Sequence, residues 1–215
     1  MNWTIPNLLT TLRLIAAPAV VIATLFFKDP FSYWTALLIF IIAGFTDFVD
    51  GYLARLWKQE TAYGKMMDPI ADKTIVIMTL TALLAPFNCS FYILIPTFVI
   101  IFREILVSGL REFLGKKSDL LSVTRLAKWK TFSQIIAICS LYILLLLNFY
   151  QLSPDDKFAG YQLNIILKDS STNYVNIFMI VSIFLLWLST IITFISGYDY
   201  LSKAIKVINK EIDND

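Results

Sequence analysis

The stretch DFVDGYLARLWKQETAYGKMMDPIAD, residues 47–72, decides how this chain folds and what it can do. It holds four aspartates in a fixed frame with small residues and one arginine; the frame consists of Asp47, Asp50, Gly51, Ala54, Arg55, Gly64, Asp68 and Asp72. The frame lies where two long apolar segments meet. Carboxylates beside lipid are costly, so they are rare in such a position unless they have a function.

Helical geometry gives this spacing a meaning. At about 100° per residue, Asp47 and Asp50 share one helical face, and Gly64, Asp68 and Asp72 form one stripe on the next helix. Two such faces opposite each other would gather four carboxylates in a small volume. Their mutual repulsion would be strong unless cations were present. Oxygen ligands suit Mg²⁺, Mn²⁺ or Ca²⁺, so we expect one or two hard divalent ions there.

Simple ion pairing is the alternative explanation for the aspartates. The cations Arg55, Lys65 and Lys73 lie nearby in the sequence and could neutralise them at a membrane interface. Ion pairing, however, explains neither the spacing nor the glycines. Gly51 and Gly64 fit a bound ligand, because a residue without a side chain lets the ligand approach the backbone. Close helix packing by small residues is the other explanation for them.

The composition indicates an all-α integral membrane protein. The 215 residues are 58% hydrophobic and 16% charged, and the mean hydropathy is +0.70. Soluble domains are typically about 45–50% apolar and about 25% charged. The net charge of +2, without a basic tail, gives no reason to expect a nucleic-acid partner.

The chemistry open to this chain is limited by what it lacks. It contains no histidine, the usual general base and metal ligand. Cys89 and Cys139 lie in or beside apolar runs, and we expect them to be small buried hydrophobic residues. Catalysis would therefore depend on carboxylates, Lys, Arg, Tyr and bound metal. The opening MNWTIPNLLTTLRL has no basic n-region, so we expect no cleaved signal peptide.

Six apolar segments approach the length of about 20 residues that a bilayer-spanning helix needs. The predicted spans are residues 14–27, preceded by an amphipathic interfacial stretch at 8–13, then 33–49, 69–85, 91–110, 129–149 and 174–195. The connections are short and contain no linker or repeat. The sequence therefore predicts a single domain, residues 1–215, with six transmembrane helices.

The distribution of Lys and Arg predicts the orientation in the membrane. With the N-terminus in the cytoplasm, the outer connections hold only Lys28, Lys157 and Lys168. The inner loops and tail then hold Arg55, Lys58, Lys65, Arg111, Lys116, Lys117, Arg125, Lys128, Lys130, Lys203, Lys206 and Lys210. This asymmetry places both termini and the aspartate frame on the cytoplasmic side.

Three further stretches accompany the frame: IPNLLTTLR at residues 5–13, REILVSGLRE at 103–112 and KWKT at 128–131. Together with the frame they resemble the CDP-alcohol phosphotransferase family, over nearly the whole chain. The three stretches are most similar to the branch that makes phosphatidylglycerophosphate. The resemblance implies transfer of a phosphatidyl group from CDP-diacylglycerol to sn-glycerol 3-phosphate, with release of CMP. It also implies a homodimer in a bacterial-type inner membrane, with the site at the cytoplasmic interface.

The same resemblance assigns roles within the frame. The implied ligands of Mg²⁺ or Mn²⁺ are Asp47, Asp50, Asp68 and Asp72. Asp72 would also be the general base for the incoming hydroxyl, which agrees with the absence of histidine. The residues implied to line the cytidine diphosphate are Asp50, Gly51, Arg55 and Gly64.

Arg103 lies inside the fourth apolar segment, where a charged side chain is costly. One interpretation is that it pairs with an acidic side chain. The other, which the resemblance favours, is that Arg103, Arg111 and Lys128 bind the phosphate of glycerol 3-phosphate. Arg111 follows eight residues later, about 80° round the helix, so the two guanidinium groups could converge on one anion.

Asn7, Thr10 and Arg13 lie on one side of the opening amphipathic stretch. Either they help to enclose the site, as the resemblance implies, or they belong to a capped helix in the membrane interface.

Other functions remain to be weighed against this one. Within the same family, the rival acceptors are inositol phosphate, serine and phosphatidylglycerol. From another class, a cation channel or transporter would need polar residues through the depth of several helices. Here the acidic residues cluster at one interface, which disfavours a conduit.

Overall fold

The computed structural model describes residues 4–56, 61–115, 125–151 and 173–212. These residues form six α-helices, with no strand among them. The helices are α1 (Ile5–Phe26), α2 (Phe31–Leu56), α3 (Ala62–Leu83), α4 (Phe91–Leu114), α5 (Arg125–Gln151) and α6 (Asn173–Ile212). The all-α prediction is confirmed for this part of the chain. The polar connection predicted between the fifth and sixth spans, residues 151–173, lies almost wholly outside it.

Four helices in the described part are long and apolar enough to cross a bilayer. Their spans are Ile5–Phe26, Phe91–Leu114, Trp129–Tyr150 and Tyr174–Asn209, and α2 adds the shorter apolar stretch Phe31–Asp47. Large aromatic side chains on the helices face outward, and Phe45, Phe102 and Phe184 are each more than 60% exposed. A surface of this kind suits lipid rather than water. These features support a membrane protein; six spans stay a prediction.

Three helices extend seven or more residues beyond the segments predicted for them. α2 continues past residue 49 to Leu56, α3 begins at Ala62 instead of residue 69, and α6 continues past residue 195 to Ile212. The prediction followed apolar residues, but a helix does not end where its side chains become polar. As a result, the backbone of the aspartate frame is helical on both sides of the connection between α2 and α3.

The starts of α1 and α3 carry ordinary capping signals. Thr61 precedes α3, and its hydroxyl accepts a hydrogen bond from the Gly64 backbone N–H at 3.0 Å. Thr4 caps α1 through the Asn7 N–H at 3.5 Å, and Pro6 lies in the first turn. Both arrangements satisfy N–H groups that have no partner within the helix.

Contacts divide the chain into two compact units. The first comprises Met1–Ser90 and Ile138–Ser182, and the second comprises Phe91–Ala137 and Ile183–Asp215. The predicted single domain stays a prediction. In the first unit, α1 packs along both α2 and α3, whereas α2 and α3 make far fewer contacts with each other. α1 is therefore the helix that connects the two halves of the aspartate frame.

The buried side of α1 changes character along its length. Asn7, Thr10 and Arg13 are buried near its start, and Ala17 and Val20 continue the same stripe at intervals of three and four residues. The apolar part packs as an ordinary helix face. The polar part is buried beside the halves of α2 and α3 that carry the aspartates.

In the second unit, α4 and α6 pack closely. Leu114 and Ala204 are buried there, with Leu110 and Val207 packed around them. Closer to the start of α4, Arg103 lies against Gly197 of α6. A Cβ placed on Gly197 would lie 2.7 Å from Cγ of Arg103. α6 can approach Arg103 this closely only because residue 197 has no side chain.

Candidate active site

The centre of the candidate site is a buried arginine between two aspartates of the frame. Arg13 Nη1 donates to Asp47 Oδ1 at 2.7 Å and also contacts Asp72 Oδ1. The Arg13 side chain is only 1% exposed, whereas those of Asp47 and Asp72 are 46% and 45% exposed. One guanidinium thus joins carboxylates from α2 and α3, and each carboxylate keeps an open side for a ligand.

Asp68 is held by a different residue of α1. The Thr10 hydroxyl donates to Asp68 Oδ1 at 2.6 Å, a short hydrogen bond of the kind that a charged acceptor forms. Asp68 lies one helical turn before Asp72 on α3, as its position four residues earlier requires. The structure therefore brings Asp47, Asp68 and Asp72 to the same polar stripe of α1.

Gly64 lies against the start of α1. A Cβ at this position would be 3.2 Å from Asn7 Oδ1 and 3.4 Å from Thr61 Oγ1, closer than most real contacts. The Thr61 hydroxyl also donates to Asn7 Oδ1 at 2.7 Å. Close approach of α1 to α3 is thus one reason for a glycine here, and Asn7 belongs to the same corner of the site.

Several predicted site residues lie outside the described side chains. For Asp50, Gly51 and Arg55 the structure gives the α2 backbone only, and for Lys128 it gives the α5 backbone only. The predicted roles of these four residues stay predictions.

The donor set fits a hard divalent ion. Asp47, Asp68 and Asp72 offer carboxylate oxygens, the ligands that Mg²⁺ and Mn²⁺ prefer. In the arrangement seen here, the described side chains include no group of three or more acidic, histidine or cysteine residues that could hold an ion. Arg13 lies between the carboxylates of Asp47 and Asp72 and neutralises part of their charge.

The second unit carries its own buried charged cluster, centred on Glu104. Arg103 pairs with Glu104 at 3.5 Å and donates to Ser196 Oγ at 2.9 Å. Lys130 forms an ion pair with Glu104, and Gln134 Nε2 donates to Glu104 Oε1 at 3.4 Å. Charged groups this deeply buried require such partners.

The residues predicted to bind the phosphate of the acceptor differ in the contacts that their side chains make. Arg103 has the acidic partner that the structural interpretation expected, yet its buried Nε has no hydrogen-bond partner among the described residues. Arg111 lies over the ring of Tyr200, 5.9 Å from the centroid, which is a cation–π contact. Both interpretations of Arg103 therefore remain compatible with its contacts.

Sequence reasoning missed two elements of these clusters. Arg13 was expected at most to help enclose the site, and its direct contact with two frame aspartates was not expected. The sequence places Lys130 among the inner cations and in the stretch KWKT, but it does not predict that Lys130 is buried against Glu104. The signal available for both was a charged residue beside an apolar run, which needs a partner when buried.

Comparisons with known proteins identify the family of this chain. The family model for CDP-alcohol phosphatidyltransferase matches residues 3–197. A protein of Cereibacter sphaeroides named CDP-diacylglycerol–glycerol-3-phosphate 3-phosphatidyltransferase is 41% identical over 98% of this chain and 100% of its own length. A protein of the same name from Rickettsia bellii is 36% identical over 94% of this chain and 95% of its own length.

The matched region contains the whole aspartate frame and α1, the helix that joins its two halves. Identity of this level over nearly the full length of both chains establishes common descent. This chain belongs to the CDP-alcohol phosphatidyltransferase family.

Proposed function

We propose that this protein transfers a phosphatidyl group from CDP-diacylglycerol to sn-glycerol 3-phosphate, giving phosphatidylglycerophosphate and CMP. The observation that carries the proposal is the convergence of half-exposed Asp47 and Asp72 from two helices on one buried cation. The names of the relatives support the choice of donor and acceptor.

The chemical step requires charge control. A hydroxyl of glycerol 3-phosphate attacks the phosphorus that bears diacylglycerol, and the bond from that phosphorus to the oxygen of CMP breaks. The family generally depends on a divalent metal, which neutralises phosphate oxygens and stabilises the leaving group when bound. We assign Asp47, Asp50, Asp68 and Asp72 as its ligands, and Mg²⁺ or Mn²⁺ as the ion.

Asp72 is the proposed general base. Its carboxylate is half-exposed, so an incoming hydroxyl can reach it, and Arg13 holds it from the buried side. A base must lie within hydrogen-bond reach of the proton it removes, and a fixed carboxylate meets that condition. Thr10 in the same way fixes Asp68.

The donor nucleotide is placed by the remaining frame residues. We assign Asp50, Gly51, Arg55 and Gly64 to the cytidine diphosphate. Gly64 supports this assignment in part, since it leaves the start of α3 without a side chain beside Asp68. The Gly64 N–H already donates to Thr61 Oγ1, so the proposed role of Gly64 is to let the ligand come close to the backbone rather than to donate a hydrogen bond.

A turnover assay tests the proposed function directly. Purified protein in detergent is incubated with CDP-diacylglycerol and Mg²⁺, and CMP release is measured with one acceptor at a time. We expect glycerol 3-phosphate to be used best. Faster release with inositol phosphate, serine or phosphatidylglycerol would contradict the acceptor while leaving the family reaction intact. No release with any acceptor would contradict the reaction itself.

Arg103, Arg111 and Lys128 are the proposed ligands of the acceptor phosphate. Loss of a hydrogen bond to a charged group costs about 1.5–3 kcal/mol. Arg103→Ala or Arg111→Ala should therefore raise the KM for glycerol 3-phosphate by roughly 10- to 150-fold, because about 1.4 kcal/mol is tenfold. The KM for CDP-diacylglycerol should change much less. An equal loss for both substrates in Arg103→Ala would make Arg103 a structural partner of Glu104.

A pair of glycine variants gives the matched control for Arg103. Gly197→Ala places a methyl group 2.7 Å from Arg103 Cγ, so it should displace the side chain without removing its charge. We expect it to raise the same KM, by less than Arg103→Ala does. Gly109→Ala adds a methyl group on α4 that would meet no other element of the described part within 4 Å, and it should behave like the unmutated protein.

The proposed location is a bacterial-type inner membrane, with six spans and both termini in the cytoplasm. Four apolar helices support membrane insertion. In a variant without Cys89 and Cys139, Lys157→Cys should react with a membrane-impermeant thiol reagent added from outside, and Lys117→Cys should not. The opposite labelling pattern would place the candidate site on the wrong side for cytoplasmic substrates. The implied homodimer stays a prediction.

A further inference from the structure

Arg13 is an unusual component of a metal-binding site. It is one of the largest fully buried side chains of the described residues, and its guanidinium touches Asp47 Oδ1 and Asp72 Oδ1. Those two aspartates come from different helices, and α1 supplies the arginine between them. The contact is therefore a tertiary one that holds the two halves of the frame together.

Each partner in this contact needs the other. A buried guanidinium without anions is strongly destabilising, and two neighbouring carboxylates repel each other unless a cation lies between them. Arg13 satisfies both conditions at once. In the same arrangement, no three acidic side chains of the described part gather closely enough to hold an ion. The arginine thus neutralises part of the charge of both carboxylates from their buried side.

A divalent ion would need the same oxygens. Asp47 and Asp72 can ligate an ion through the carboxylate oxygens that Arg13 now engages, and an ion close to them would be repelled by the guanidinium. We propose that Arg13 is a built-in competitor for the metal: it engages the same carboxylate oxygens of Asp47 and Asp72 and so lowers the affinity of the site for the ion. This inference rests on the proposed function, because it concerns the same carboxylates.

Competition between Arg13 and the ion predicts that mutation of Arg13 strengthens metal binding. Loss of a residue that assists a metal site weakens binding, whereas loss of a competing cation strengthens it. Arg13→Gln retains most of the side-chain volume and removes the charge. It should bind Mn²⁺ at least about tenfold more tightly than the unmutated protein, because a unit charge a few ångströms from the ion is removed. It should also be less stable in EDTA, and Mn²⁺ should raise its unfolding temperature by more.

The test is Mn²⁺ binding to purified full-length protein in detergent, without substrate, followed by the electron paramagnetic resonance signal of free Mn²⁺. Arg103→Gln is the matched control, since it removes a buried arginine that pairs with Glu104, and its Mn²⁺ affinity should be unchanged. If Arg13→Gln does not fold, Arg13→Lys replaces it. The shorter amine should reach only one carboxylate, so a smaller gain in affinity is expected.

Equal or weaker Mn²⁺ binding in a folded Arg13 variant would overturn the inference, as would an equal gain in Arg103→Gln. The proposed function is tested separately by CMP release from the unmutated protein. Turnover with Mg²⁺ but no gain in Mn²⁺ affinity defeats only the competition by Arg13. Absence of turnover with every acceptor defeats the proposed function, whatever the Mn²⁺ result.

Discussion

Asp68→Asn is expected to lower CMP release from CDP-diacylglycerol by at least about 10³-fold. The substitution preserves the shape of the side chain and can still accept the hydrogen bond from Thr10, but it removes the negative charge of a proposed metal ligand. A bound ion contributes several kcal/mol to stabilisation of the transition state, and about 1.4 kcal/mol is tenfold in rate. The measurement is CMP release at saturating Mg²⁺, with EDTA added in a parallel sample.

Asp47→Asn and Asp50→Asn should have effects of the same size. Asp47→Asn should also lower the unfolding temperature, since it removes one of the carboxylates that Arg13 contacts. Thr10→Val provides the matched control for Asp68, because it removes the hydroxyl and leaves the carboxylate. We expect it to lose only about tenfold, as a single hydrogen bond to a charged group would predict. Retention of more than a tenth of the activity in Asp68→Asn, or full activity in EDTA, would contradict a metal site built on this frame.

Asp72→Asn is expected to lower kcat by about 10²–10⁴-fold while CDP-diacylglycerol still binds. That range is the usual contribution of a positioned general base. Asparagine cannot take up the proton, although it occupies nearly the same volume. The two quantities are measured separately, kcat by CMP release and nucleotide affinity by calorimetry with CDP-diacylglycerol. A loss of affinity as large as the loss of kcat would instead make Asp72 chiefly a ligand.

Asp199→Asn is the matched control for the aspartate substitutions. Asp199 lies outside the frame and pairs with Lys203 one turn later on α6, at 2.8 Å. A pair of this kind on a helix contributes about 0.3–0.5 kcal/mol. The variant should therefore keep both its stability and its activity, which separates the effect of losing any aspartate from that of losing one in the site.

Much of the helical framework follows from the sequence alone. The long apolar runs locate α4 and α5 closely, because about 20 apolar residues in a row have no stable place except inside a bilayer or a core. α1 joins its predicted apolar span and the amphipathic stretch before it into one continuous helix. The sequence predicts the ends of α2 and α6 too early and the start of α3 too late. Apolar length measures the thickness of a membrane rather than the length of a helix. Thr61 before α3 was a capping signal in the sequence that marked one of these ends.

The frame itself also follows from the sequence, since spacing on one helix is set by the helical repeat. Gly64, Asp68 and Asp72 had to lie on one stripe, and they do. The side chains that contact this stripe could not be predicted from the sequence. Arg13 is 59 residues before Asp72 and Thr10 is 58 before Asp68, so no local period relates them. The same holds for Arg103 and Ser196, which are 93 residues apart.

The sequence by itself therefore determined an all-α membrane protein of this family, with four aspartates at set positions on two consecutive helices. Local geometry and burial of apolar residues are enough for that, because both are properties of neighbouring residues. Only the tertiary structure decided which side chains neutralise and orient those aspartates. α1 packs along both α2 and α3, and its buried polar stripe brings Arg13 to Asp47 and Asp72. A buried charge takes its partner from whichever helix lies beside it, and that neighbour is a consequence of packing.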